Sequence, residues 1–447
     1  MRTSRITLLA CIGMLMTSMN ADARQWTLRQ CIDYALANNI TLQKTQLQKR
    51  SAMEDVYQSQ AALLPSLSAN SSQNVTYRPW PETGRSSVLD GYVQTSVDKT
   101  YYNGSYGVNA NWTVWNGGRN VNTVKLNKLT AQQAALDSAT TANQLIEQIA
   151  QLYVQILYTE EAIKVNQAAL ETSIVNENTG KEFFENKKMS QADLAQLTAQ
   201  RAQDEYNVVE AESNVKNYKR QLRQLLQLID DEEFELTTPV TTDEMALKEV
   251  PMLNDVYASS LEHRPEIQNA KLGLESSDVS IKLAKAQRLP TVGVSASAFT
   301  STSSMSDNAW GKQLKNNFDT GAGVSLSIPI FDNRQAKTAI NKAKIQRESY
   351  MLDLKDKQIS LYSTIEEYWL QAVNNQNRFK AAKASTESAE ESYRLVSEKF
   401  KEGMINTVEL MQGRDKLLSA QQSELQSKYL TILNLNLLNF YQNGEMK

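Results

Sequence analysis

The sequence predicts a mainly α protein with a membrane β-barrel contribution. It should form long coiled-coil helical hairpins plus four transmembrane strands per chain, in two structural repeats. Three observations carry this. Long segments lack proline and nearly lack glycine, four short segments alternate apolar with small polar residues, and the order of these features occurs twice. Composition agrees: only 41% of residues are apolar, with 16 glycines and 8 prolines in 447, which suits exposed helices better than a compact core.

The first element is a leader. "MRTSRITLLACIGMLMTSMNADARQW" places Arg2 and Arg5 before an apolar run, Ile6 to Met16, and closes on Ala21-Asp22-Ala23. That is the pattern of a secretory signal peptide, residues 1–23, cleaved near Ala23. The run is shorter than the roughly 20 residues a spanning helix needs. The other reading, a lipoprotein cleaved at "LLAC" before Cys11, leaves only five residues between Arg5 and the cysteine, which is short for an apolar region. After cleavage at Ala23, Cys31 stands alone and no intrachain disulfide can form. A net charge of −3, from 47 basic and 50 acidic residues, gives no electrostatic footprint for nucleic acid.

Next comes the repeat. Pro65 lies over Pro290 at an offset of 225, and "YALANNITLQ" lies over "SSLEHRPEIQ" at the same offset. Farther on the offset becomes 216, where "FENKKMSQADL" (184–194) lies over "FKEGMINTVEL" (400–410). The first repeat spans 24–229, with helix 28–62, strands 66–77 and 105–115, and helices 119–185 and 190–226. The second spans 253–441, with helix 253–287, strands 291–302 and 318–331, and helices 335–401 and 406–440. Between them 230–252 is an acidic linker or equatorial segment with Pro239 and Pro251, and 442–447 is a tail. Within 119–185, Leu145, Ile149, Leu152 and Ile156 step by 4, 3 and 4, a coiled-coil seam. Those 67 residues, if one helix, reach about 100 Å. Leu194, Leu197, Leu222 and Leu225 mark the seam of 190–226.

The strands alternate unusually. In 106–115, Tyr106, Val108, Ala110, Trp112 and Val114 share one face, and Asn109, Asn111 and Thr113 the other. In 322–331, Ala322, Val324, Leu326, Ile328 and Ile330 oppose Gly323, Ser325 and Ser327. In 66–77, Leu67, Ala69, Val75 and Tyr77 oppose Ser66, Ser68, Asn70 and Asn74. The lengths fit the 9–11 residues a strand needs to cross a bilayer, with lipid outside and water inside. Ser66, Ser68, Asn70, Asn109, Asn111, Thr113, Ser325 and Ser327 are then the pore-facing set. Tyr77, Trp80, Tyr101, Tyr102, Trp115, Phe299, Trp310 and Phe318 gather near strand ends. A soluble sheet with one wet face gives the same alternation and stays open at this point. Pro65 and Pro290 end the helical ladder and push the preceding residue towards extended backbone, so each is a helix-to-strand junction.

Four strands cannot close a barrel, which takes about eight, and an open sheet edge is not tolerated in lipid. Membrane strands would therefore have to be shared between chains. Long helical hairpins with little core of their own need the same neighbours.

Taken together, "WTLRQCIDYALANN", the repeat, the two junction prolines and "FKEGMINTVELMQGRDKLLSAQQSEL" (400–425) resemble the TolC family of outer membrane efflux proteins. The resemblance covers nearly the whole mature chain. It implies a homotrimeric α-barrel/β-barrel channel in the outer membrane of a Gram-negative-type cell, in contact with outer membrane lipid, with a periplasmic helical tunnel. It implies two protein partners, a periplasmic adaptor (a membrane fusion protein) and an inner membrane transporter, in a tripartite efflux pump or type I secretion system. No cofactor is implied.

By the same resemblance the helix turns near 186–190 and 402–406 form the periplasmic tip, where an adaptor docks. Lys187, Lys188, Met189, Gly403 and Met404 occupy those turns. Family members narrow the entrance with acidic side chains after the second turn; Glu409 matches one, while Gln412 stands uncharged at the other. A surface glutamate on a solvated helix is the plain alternative for Glu409. The family's closing hydrogen bonds use an aspartate, a tyrosine and an arginine. Asp193 matches the first, but Phe400 and Ile405 replace the others, which implies an apolar closure around Phe400 and Ile405.

Enzymatic readings find little. His263 is the one histidine, at a helix start before Pro265, and no Cys/His cluster, phosphate loop or G-x-S-x-G is present. The other readings are a periplasmic coiled-coil adaptor and a structural envelope protein; the first should show charged strand faces, the second leaves the strands unexplained.

Overall fold

A computed structural model describes residues 25–80, 84–88, 91–95, 99–229, 234–238 and 241–446. The leader 1–23, with its expected cleavage near Ala23 and the alternative at Cys11, lies outside the described residues, as do parts of 230–252 and of the 78–100 loop. In chain order the elements are β1 (Gln25–Trp26), α1 (Leu28–Asn38), α2 (Ile40–Ala61), β2 (Ser66–Tyr77), β3 (Gly84–Val88), β4 (Gly91–Thr95) and β5 (Thr100–Trp115). Then come α3 (Arg119–Glu185), α4 (Gln191–Leu226), β6 (Glu235–Leu236), α5 (Asp243–Ala246), α6 (Leu253–His263) and α7 (Pro265–Ala286). The chain closes with β7 (Thr291–Ser303), α8 (Trp310–Asn316), β8 (Asp319–Ser327), α9 (Gln335–Lys401) and α10 (Thr407–Asn443). No helix among the described residues is long and apolar enough to cross a membrane.

Several expected bounds change for local reasons. Helix 28–62 is two helices broken at Asn39, and helix 253–287 is two helices broken at Arg264. Arg264 precedes Pro265, which disfavours helical backbone at that residue, and it sits at φ −69°, ψ 127°. Asn39 takes the same extended form without a proline, at φ −63°, ψ 122°, and its side-chain amide donates to the Leu225 carbonyl at 3.0 Å. Strand 318–331 ends at Ser327, because Pro329 has no N–H for a ladder. Strand 105–115 begins earlier, at Thr100. The 78–100 loop contains the β3–β4 hairpin, and α8 lies in what read as loop.

The chain divides into two compact units. One comprises the described residues of 41–142 and 257–364, and holds the four-stranded antiparallel sheet β2-β5-β7-β8. Its helices pack through Ala52 and Val56 of α2 against Ala131 of α3, through Lys125–Glu275 at 3.2 Å between α3 and α7, and through Arg347–Asp278 at 2.6 Å between α9 and α7. The Trp112 indole N–H donates to the Leu63 carbonyl at 2.8 Å, tying the helix end before Pro65 to β5.

The other unit comprises the described residues of 25–40, 143–256 and 365–446. Its core joins Cys31, Ile32 and Ala35 of α1, Leu145, Ile149 and Ile156 of α3, and Leu222 and Leu226 of α4. The described parts of the 230–252 segment, 234–238 and 241–252, are docked here. β6 pairs in parallel with β1, the Tyr153 hydroxyl donates to the Thr237 carbonyl at 2.6 Å, and Asp243 takes Lys383 at 2.7 Å and Lys428 at 2.8 Å.

Candidate functional site: a two-faced sheet and a double helix turn

The sheet carries the first candidate surface, and its register decides which side chains share a face. Leu67, Ala110, Ala296 and Ala322 pair across all four strands, and so do Ser66, Asn111, Ser295 and Gly323 one residue along. The Ser68, Asn109, Ser297 and Gly321 row repeats the polar set. Thus one face is built of Ser, Asn, Thr and Gly, and it brings together Ser66, Ser68, Asn70, Asn109, Asn111, Thr113, Ser325 and Ser327. Asn109 donates to Asn70 at 2.9 Å, and Ser66 to the Asn111 carbonyl at 3.2 Å. The opposite face holds Val108, Trp112, Val294, Val324 and Leu326, all at least partly open to solvent in the single chain.

Two details depart from simple alternation. A bulge between Thr113 and Trp115 inserts Val114, so Trp115, paired with Val292, continues the apolar row in place of Val114. Phe299 pairs with Gly107, and Tyr101 with Thr76, which puts both rings on the polar face. β2 and β8 are the sheet's outer strands, each hydrogen-bonded on one side only among the described residues.

The second candidate surface is where α3 turns into α4 and α9 into α10. Both turns use the same backbone device. Lys187 and Gly403 take left-handed conformations, at φ 60° and 73°. Lys187 N–H donates to the Phe184 carbonyl at 2.9 Å and Lys188 N–H to Phe183 at 2.7 Å; Gly403 and Met404 do the same to Phe400 and Lys399, each at 2.9 Å. This pair of bonds satisfies the last helical carbonyls. Each following helix is capped alike: Ser190 accepts from Asp193 N–H at 3.1 Å, and Asn406 from Glu409 N–H at 2.9 Å. Asp193 and Glu409 therefore hold the same place in their turns, in the first turn of a helix where a carboxylate meets the positive end of the dipole.

The turns come together around a cavity of about 680 Å3 lined by Phe183, Lys188, Met189, Asp193, Phe400 and Ile405, among others. Phe400 is 2% exposed, packed with Leu197 and Leu410 and flanked by Met189, Ile405 and Tyr393, with the Phe183 ring at 5.8 Å. Its ring is thus committed to the chain's own core. Glu409 and Gln412 are exposed, three residues apart on α10. Lys187, Lys188, Gly403 and Met404 are exposed on the turns.

Above the turns lies a feature that sequence reading missed. Arg414 of α10 makes an ion pair with Asp204 of α4, and their side chains are 4% and 1% exposed. Gln200 adds a bond to Asp204 at 3.1 Å. The signal was present in spacing: buried α4 residues run Leu197, Asp204, Val208, Ala211 and Val215, so Asp204 falls on the helix seam. Near it, burial raises the Glu177 carboxyl, but Lys181, Thr198 and Arg201 outweigh this and hold it below its usual range. Among the described residues no cluster of His, Cys, Asp and Glu could hold a metal ion.

Comparison with known proteins adds the following. The family model described as outer membrane efflux protein matches residues 31–227 and 256–443. Toxin and drug export protein A of Aggregatibacter actinomycetemcomitans is 21% identical over 413 residues, covering 91% of this chain and 83% of that protein. Among solved structures, a crystal structure of CusC superimposes with TM-score 0.80 at 15% identity, over 94% of this chain and 92% of the other. The Campylobacter jejuni CmeC outer membrane channel does so with TM-score 0.77 at 18% identity, over 93% and 86%.

Proposed function

Since the chain belongs to the outer membrane efflux protein family, we propose that it is the outer membrane exit duct of a tripartite export system. One observation carries the reading: a four-stranded sheet, mainly polar on one face and mainly apolar on the other, with β2 and β8 unpaired on their outer sides among the described residues. In lipid each unpaired edge group costs several kcal/mol, so β8 of one copy pairs with β2 of the next. Three copies give twelve strands, wide enough for a water-filled interior walled by Ser66, Ser68, Asn70, Asn109, Asn111, Thr113, Ser325 and Ser327.

Helix surfaces ask for the same neighbours. Ile345, Leu352 and Ile359 of α9 are 66%, 69% and 56% exposed, at steps of seven, an unpartnered coiled-coil seam. The turns at Lys187–Met189 and Gly403–Met404 form the periplasmic tip, where an adaptor linked to an inner membrane transporter docks. Three copies of Glu409 ring the entrance and favour cations. The relative named for toxin and drug export leaves small molecules and polypeptides both open as cargo. The mature protein follows cleavage near Ala23.

The test is fractionation and reconstitution. The protein should appear in the outer membrane as a heat-sensitive trimer on gels and give discrete conductance steps in planar bilayers. A soluble periplasmic monomer without conductance would exclude the duct and favour an adaptor.

A further inference from the structure

We propose that α8 is an interfacial anchor which binds phosphate-bearing lipid headgroups at the outer rim of the barrel through Lys312 and Lys315. The inference rests on the reading of the sheet as a barrel wall. Its starting point is where α8 sits. Thr300 Oγ1 donates to the Leu314 carbonyl at 2.7 Å, and Asn317 Nδ2 to the Ser301 carbonyl at 2.7 Å. Gln313 is buried: its Oε1 accepts from Ser303 N–H at 2.7 Å and its Nε2 donates to the Asn308 carbonyl at 2.6 Å. The Trp310 ring stands edge-on to Tyr106, centroids 6.2 Å apart. Thr302 is 8% exposed, the most covered β7 residue, where α8 packs.

Register places this helix on one particular face. Tyr106 pairs with Thr300, two steps from the Val108–Ala298 pair, so both belong to the apolar, outward face. Ser71 shares the Tyr106 row, the next row on this face is Gln73, Gly104 and Thr302, and after it come Val75 paired with Tyr102 and then Tyr77, so polar and aromatic groups mix at this end of the face. Val292 and Thr300, the β7 partners of Trp115 and Tyr106, are eight residue steps apart, which at about 3.3 Å each and a tilt of about 40° make roughly 20 Å of height. That is close to the ~25 Å of a barrel's apolar band. α8 therefore lies against the outward face at the level of headgroups, at the strand end remote in sequence from Pro290.

The chemistry of α8 fits that level. Trp310, Phe318 and Tyr102 are 59%, 57% and 56% exposed, as interfacial aromatics are. Lys312 and Lys315 are three apart, exposed, and have no carboxylate partner among the described residues. Asp307 is the sole carboxylate of the segment 304–318, and Asp319 pairs with Phe299 in the polar-face row. Two free ammonium groups beside interfacial aromatics select an anionic phosphate over a neutral surface, and their long stems can reach the headgroup plane.

The experiment uses the full protein purified from membranes, with lipid A as probe and phosphatidylcholine as control, read by native mass spectrometry. K312Q/K315Q should weaken lipid A binding roughly thirty-fold, about five-fold per lysine, and leave phosphatidylcholine unchanged. K312R/K315R should bind as wild type. Equal lipid A binding by wild type and K312Q/K315Q, both still heat-sensitive trimers, overturns the anchor and leaves the barrel standing. A wild-type protein that forms no membrane trimer overturns the barrel reading itself.

Discussion

Arg414→Met is the sharpest test of how the tip is held together. It removes the cation from the most deeply buried ion pair among the described residues and leaves Asp204, 1% exposed, with the Gln200 amide as its remaining side-chain donor. Breaking one side of such a pair strands a buried charge and costs about 3–5 kcal/mol. At about 1.4 kcal/mol per tenfold, local opening of α4 from α10 becomes roughly 100- to 4,000-fold more frequent. Hydrogen exchange on peptides around 204 and 414 reads this directly, as faster exchange confined to both helices. The double variant Asp204→Leu/Arg414→Met replaces the pair by apolar groups, which is often neutral or stabilising, and should restore protection to within about tenfold of wild type. If Arg414→Met changes exchange by less than tenfold, or the double variant is no better than the single, the pair does not clamp these helices.

Four further outcomes follow from the geometry. Hydrogen bonds from Lys383 and then Lys428 hold the Asp243 carboxyl below its ordinary 3.8. A lowered folded value stabilises above pH 3.8 and loses that stabilisation as pH falls through the lowered value, so the thermal midpoint of Asp243→Asn should lie below wild type at pH 6 and converge with it in strong acid. Burial pushes the Cys31 thiol up to about 12, so a maleimide at pH 8 should label it only after unfolding; rapid labelling of the native protein would contradict the packing of α1. Lys187→Gly should stabilise its turn by about 1 kcal/mol, since a side chain at φ 60° carries a steric cost that glycine avoids, measured as slower exchange of the Lys187 and Lys188 amides. In bilayers, Glu409→Gln should lower cation preference, while Asp193→Ala, which removes a helix-start partner, should leave the channel closed; wide constitutive opening of Asp193→Ala would restore a polar lock.

Much of this was legible because it rests on short-range chemistry. Residues 119–185 read as one helix, because a single interior glycine, Gly180, and a 4-3-4 seam leave no alternative. Ser66 and Asn111 could be assigned to one face because strand period is fixed at two. What escaped notice was backbone conformation without its usual residue. Gly117 and Gly118 are left-handed, and so are Asn333 and Arg334 at the equivalent places 216 residues on; Gly403 announces its turn, while Lys187 hides the same one. The break at Arg264 is signalled by Pro265, whereas that at Asn39 is held by a hydrogen bond to Leu225, 186 residues away, which no local pattern encodes. The Asp204–Arg414 pair gives no sequence signal of its own, because either charge alone on a helix is usually at the surface.

The repeat also bears on what closes the tip. At an offset of 216, Phe184 corresponds to Phe400, yet Phe184 is 40% exposed and Phe400 is 2% exposed. The first hairpin supplies its neighbour Phe183 to the contact instead, and Met189 and Ile405, equivalent to each other, flank the Phe400 cluster. The two turns are therefore unlike in surface despite their shared backbone. The apolar groups that looked available to plug an entrance are consumed in joining one helix pair to the other inside a single chain. The closure that the family resemblance implies around Phe400 and Ile405 would then act by holding those pairs in one register, with the Asp204–Arg414 pair buried between the same helices. The side chains then left for such an entrance would be Glu409 and Gln412, which are exposed, and with Gln412 its counterpart Gln196, which lines the same groove between α4 and α10. A gate built this way would open by separating helices, so variants inside the hairpin should change gating, and variants on its polar surface should change selectivity.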